Sequence, residues 1–175
     1  MTNDKSTIMF KKILWVLLII LIIIQFIHPA RNISKGEQPN NIAKAFTVPA
    51  NVKTILDKAC MDCHSNNTRY LWYFKLQPVD WWLTNHINEG KRGLNLDEYT
   101  SKSLRYQYNK MEDVIDLVKK NEMPLNSYTW IHKDAILTDQ EKNTLMNWAE
   151  GIRTEMKAKY PEDSLKKKPR PQPVK

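Results

Sequence analysis

Cys60-Met61-Asp62-Cys63-His64 is the most reactive stretch of the chain. Two thiols three apart, followed at once by an imidazole, are the pattern for attachment of a c-type haem. Each thiol can add across one haem vinyl group to give a thioether. His64 then stands where its imidazole can bind the iron as proximal ligand. The spacing has a mechanical reason. On one helical turn Cys60 and His64, four apart, face the same way, and Cys63 lies beside them. The chain has 2 Cys, and both are here. A redox dithiol would expect a βαβ setting, and none surrounds the motif. A structural zinc site wants four ligands, and the adjacent Cys63 and His64 fit a tetrahedron awkwardly. A plain disulfide is the remaining alternative.

The elements that must position this segment read as helices. Gly is scarce at 4, and β-branched runs are few after position 30. Pro49 to Lys58 predicts a short helix leading into the motif, with Val52, Ile55, Leu56 and Ala59 as its buried stripe. Val79 to Glu89 predicts a second helix, with Trp82 and His86 four apart and Gly90 as C-cap. A third runs from Asp97 or Ser101 to Asn121, with Leu104, Tyr108, Met111, Ile115 and Val118 on one face. It stops at Glu122-Met123-Pro124, where Pro pushes Met123 into an extended conformation. Residues 125–137 read as a loop holding Tyr128, Trp130 and His132. Thr138 with Glu141 forms a capping box that opens the last helix.

The formal charge of +8 suggests a nucleic-acid partner and is misleading. The excess sits at the two ends of the chain. Residues 31–165 carry 19 basic against 18 acidic residues, so nucleic-acid binding has no support.

The ends divide off as appendages. Residues 1–12 are polar and hold Lys5, Lys11 and Lys12, which predicts a cytoplasmic N-terminus. Residues 13–30 form an apolar run of about the 20 residues that span a bilayer. This reads as an uncleaved signal anchor; a cleaved signal peptide is the rival. Residues 31–47 read as a polar linker that could hold the body tens of Å off the membrane. Residues 48–157 are the expected haem domain, and the Lys- and Pro-rich residues 158–175 an expected disordered tail. The reading therefore places a single-pass protein in the inner membrane with its haem domain facing the periplasm. Thioether attachment in bacteria happens on that side.

CMDCH, the tract NNTRYLWYFKLQPVDWWLTNHINEGKRGLN and the closing EMPLNSYTWIHKDAILTDQEKNTLMNWAEG together resemble the bacterial haem-binding domain family of small c-type cytochrome-like proteins. The resemblance spans roughly Thr47 to Gly151. It implies a fold similar to class I cytochromes c: an all-α domain around one covalent haem c, its iron held by His64. The implied role is haem binding and electron transfer with redox partner proteins. Leu125 stands where many cytochromes have a second Pro after Met-Pro.

The sixth iron ligand decides what such a haem can do. Met123 lies on the Pro-stiffened loop before the last helix, where cytochromes c present a thioether that raises the potential. His86 is the alternative, and His132 a weaker one. Arg69, directly after the motif, is an expected partner for haem propionates. Trp72 and Trp82 are expected as flat apolar walls of the pocket. The expected function is a membrane-anchored monohaem electron carrier, not an enzyme. The alternative is a haem-based gas or redox sensor with an open sixth site. With a single CxxCH and no visible distal His/Arg pair, a peroxidase is the weakest of the three.

Overall fold

The computed structural model describes residues 3–166. Among them lie eight α-helices and no strand; the all-α expectation holds. A long N-terminal helix, α1 (Asn3–Ile24), stands apart from a helical body. The body comprises α2 (Ala50–Ala59), α3 (Met61–His64), α4 (Val79–Gly93), α5 (Leu104–Lys119), α6 (Asn126–Thr129), α7 (Asp139–Lys159) and α8 (Glu162–Leu165). Three of these, α3, α6 and α8, are single turns of 4 residues.

The core forms where helical apolar stripes meet. α5 contributes Tyr108, Met111 and Val118, α7 contributes Leu145, Ala149, Ile152 and Met156, and α2 adds Val52, Ile55 and Leu56. A smaller cluster of Tyr73, Phe74 and Ile87 lies under α4. Local signals set the helix limits. Ser103 caps α5 by accepting from the Tyr106 amide. Thr138 and Glu141 form the expected capping box of α7. α5 begins at Leu104 rather than at Asp97 or Ser101, because Leu96–Glu98 make a separate 3-10 turn capped by Asn95.

α5 ends at a left-handed residue, Asn121, with φ 58°. Asn tolerates this region better than most L-residues. The reversal lets the Glu122 and Met123 amides both donate to Leu117 O, at 2.9 and 3.3 Å, which turns Met123 back toward the body. Asn121→Ala is expected to cost roughly 1 kcal/mol, and Asn121→Gly to be neutral or stabilising. Thermal unfolding of the two variants checks this pair.

Three of the sequence expectations need correction. The apolar helix covers residues 3–24 rather than 13–30. Its stretch Ser6–Ile24, 19 residues, is long and apolar enough to cross a membrane. The segment 31–47 is no free linker. Ile42 and Phe46 are buried in the core, and Ile33 pairs with Asn67 in an antiparallel bridge. The Asn32 side chain bonds Ser65 O and Thr68 Oγ1 and also takes a bond from Lys91. Its polar residues looked solvated in sequence because their partners lie far along the chain. The expected tail at 158–175 is ordered over its first residues: α7 runs to Lys159, and α8 buries Leu165 against the core. The rest of that expectation, 167–175, lies outside the described residues.

Candidate functional site

Cys60, Cys63 and His64 leave α2 on a tight corner. Cys60 ends α2 in a non-helical conformation, φ −129° and ψ −43°, and α3 restarts at once. The Cys60 carbonyl accepts from the Cys63 and His64 amides at 3.1 and 3.0 Å. That short turn brings both thiols and the imidazole to one wall of a cavity of 390 Å³. The volume falls within the range of about 300–1,000 Å³ usual for cofactor pockets. Apolar side chains from α2, α5 and α7 make most of the remaining wall, among them Leu56, Met111, Val118 and Leu145.

His64 is held in one tautomer. Its Nδ1–H donates to Leu94 O at 2.8 Å, because a carbonyl can only accept. This leaves the Nε2 lone pair for a metal, the usual outer-shell arrangement of a ligating histidine. Burial lowers the imidazole pKa, against smaller opposing backbone hydrogen bonds, so the ring is neutral and able to ligate. The same burial pushes the Cys60 thiol up to about 12 and the Cys63 thiol up to about 11. A redox dithiol depends on a lowered thiol pKa, so these two are poorly suited to it. They are not bridged to each other. Among the described residues no group of three or more His, Cys, Asp or Glu gathers as a metal site of its own.

Gly90 is where α4 meets the attachment turn. α4 continues to Gly93, so Gly90 is not the expected C-cap. A Cβ at residue 90 would lie 2.7 Å from Cys63 O and 3.0 Å from Cys63 Cβ. A backbone carbonyl cannot swing aside as a side-chain tip can. Gly90→Ala is therefore expected to destabilise the protein by roughly 1–3 kcal/mol. A lower unfolding temperature and a reduced haem content at equal expression check it.

Met123 and His86 both line the same cavity as the motif. Met123 arrives from the turn after α5. His86 stands on α4 one turn before Gly90, on the helix that backs Cys63. Its Nδ1–H donates to Trp82 O at 2.8 Å, and its ring meets Trp82 edge-on. His132 does not reach the cavity. It is buried elsewhere, with Nε2 2.7 Å from Tyr73 Oη and its ring stacked on Tyr128 at 4.1 Å.

Other expected site residues lie away from the main cavity. Arg69 is committed to Asp62, with Nε at 3.1 Å from Oδ1 and Nη2 at 3.0 Å from Oδ2. The Asp62 carboxylate holds the guanidinium pKa above its usual value. The cation expected for propionates is thus paired here with a buried acid inside the motif. Trp72 is 68% exposed and lines no part of the cavity. Trp82 is 46% exposed and borders only a small side pocket beside Cys63.

The sequence reading missed the polar frame around the motif. Asp62 also accepts from Tyr128 Oη at 2.7 Å and from the Arg69 amide at 3.0 Å. Thr68 Oγ1 donates to Asp62 O at 2.6 Å. This ties the attachment turn to the loop that follows Met123. The signal available in sequence was Asp62 itself, an acid between two cysteines.

The donor set fits a haem: two thiols on one turn, a neutral imidazole with free Nε2, and an apolar cavity that Met123 also lines. The comparisons with known proteins agree. The haem-binding domain family model matches residues 19–151, from inside α1 to the middle of α7. No curated protein and no solved structure matches the chain. With most of its length inside that match, and with these residues gathered on one cavity, the chain belongs to the haem-binding domain family.

Proposed function

We propose that this protein is a membrane-anchored, monohaem c-type electron carrier. The observation that carries the reading is the meeting of Cys60, Cys63, His64 and Met123 on one apolar cavity. Cys60 and Cys63 would hold the haem by two thioethers, His64 Nε2 would be the proximal ligand and Met123 the sixth, with His86 as the alternative. When bound, the haem supplies a one-electron iron couple.

The chain's own residues do the rest. Leu94 O fixes the His64 ring and raises its basicity through the Nδ1 hydrogen bond. Apolar walls exclude water, which favours a raised potential and little rearrangement on electron transfer. Redox partners make small, transient contacts. α1 would keep the carrier beside membrane-bound partners. The lysines near its N-terminus favour a cytoplasmic start and a haem domain on the periplasmic side.

Visible spectra of the full chain, matured with haem c, test the reading. A low-spin reduced spectrum, with a weak long-wavelength sulfur–iron band in the oxidised form, is the expected result. A low-spin spectrum without that band transfers the sixth position to His86. A high-spin spectrum that responds to carbon monoxide overturns the carrier in favour of a sensor. A protein matured without covalent haem overturns both.

A further inference from the structure

The segment that follows α1, residues 25–31, is bolted to the haem domain. Gln25 and Gln77 exchange two hydrogen bonds, Gln77 N to Gln25 Oε1 at 2.9 Å and Gln25 Nε2 to Gln77 O at 3.2 Å. Ile27 O accepts from Gln77 Nε2 at 2.7 Å and from Trp81 Nε1 at 3.1 Å. Fully buried Asp80 takes Arg31 Nη1 at 2.7 Å and lies 2.8 Å from His28 Nδ1. Arg31 also donates to Phe74 O. The stretch from Phe74 to Trp81 therefore stands at the depth where the apolar helix ends.

With its flanks, residues 72–82, that stretch carries an uncovered apolar surface. Trp72, Leu76, Val79, Trp81 and Trp82 are exposed, and so are Phe26 and Ile27 on the α1 side of the junction. A soluble face would not present so many large apolar side chains together. The charges present fit a membrane edge. Asp80, the acid of this stretch, is buried and paired with Arg31, while Lys75 is exposed on it. Trp rings and Lys side chains are the residues that settle at a bilayer's headgroup level.

We propose that Trp72, Leu76, Val79, Trp81 and Trp82 form a bilayer-contact face. It seats in the headgroup–acyl boundary of the membrane that α1 crosses, and it holds the haem domain in one orientation on that surface. The inference rests on α1 spanning a bilayer. The bonds from Gln25 to Arg31 put the face at the helix exit, where the membrane surface would lie.

The test uses the full, haem-loaded chain in nanodiscs of phosphatidylcholine with or without acyl-chain bromination. Trp72→Cys, Leu76→Cys and, within α1, Leu18→Cys each receive an environment-sensitive fluorophore; unlabelled wild type shows that the haem cysteines do not react. Labels at 72 and 76 are expected to lose at least about twofold in intensity in brominated lipid, as at 18, with little response to aqueous iodide. Bromine quenching at 18 with iodide quenching at 72 and 76 overturns the bilayer-contact face and leaves the anchor standing. No bromine quenching at 18 overturns both. Labels at 72 and 76 shielded from both quenchers mean that protein covers the face, which also overturns it. If either variant takes up no haem, Val79→Cys, a smaller change in volume, replaces it.

Discussion

Replacing Met123 with alanine in the haem-loaded protein is expected to remove the sulfur–iron band and lower the reduction potential by roughly 0.1–0.3 V, inside the span of about 0.8 V that axial ligands cover. The physical reason is that a thioether stabilises ferrous over ferric iron, so its loss favours the oxidised state. Met123 has intermediate burial and sits on the cavity wall rather than deep in the α5–α7 core. Truncation there opens little core volume, so the unfolding temperature should move less than the potential does. His86→Ala is the control. Its Nδ1–H is held by Trp82 O, and its removal should leave the sulfur–iron band intact. Loss of low-spin character in His86→Ala, with an unchanged potential in Met123→Ala, would reverse the assignment. Redox titration followed by visible absorbance reads both variants.

Changing Cys60 and Cys63 together to serine is expected to abolish retention of haem through acid–acetone extraction, while wild type keeps it. Each single variant should keep one thioether and hence most of its haem. The double change should also lower stability. The 390 Å³ cavity lies between α2, α5 and α7, against the apolar core. A covalently held ligand cannot dissociate from the native state, and its loss withdraws the stabilisation that binding gives. A fall of roughly 10 °C in unfolding temperature corresponds to about 3 kcal/mol for a chain of this size. Haem that stays with the doubly substituted chain through extraction would exclude the thioether reading.

Much of the site was legible because it is local. Five consecutive residues, 60–64, specify the thiols, the imidazole and the turn that gathers them, and no distant partner is needed to see the pattern. The α2 stripe, the α7 capping box and the position of Met123 directly before a helix-stopping Pro also follow from short-range rules. Partners and surroundings were less legible. Arg69 read as a donor for propionates, yet Asp62 claims it from seven residues away. Trp72 read as a pocket wall, yet it faces outward. Gly90 read as a helix end, although what constrains it is the Cys63 carbonyl 2.7 Å from any Cβ placed there.

From the residues alone the haem cofactor, the helical class and the apolar N-terminal helix could be read, because periodicity and spacing act over a few residues. Three features came from the fold: His64 Nδ1 is spent on Leu94 O, Met123 and His86 share the motif's cavity, and residues 25–46 are strapped to the body rather than free. Each of these is a pairing across tens of residues. A polar residue such as Asn32 or Gln77 looks the same in sequence whether water or a distant carbonyl satisfies it. Burial forces that choice, since a polar group removed from water must find a partner inside the protein.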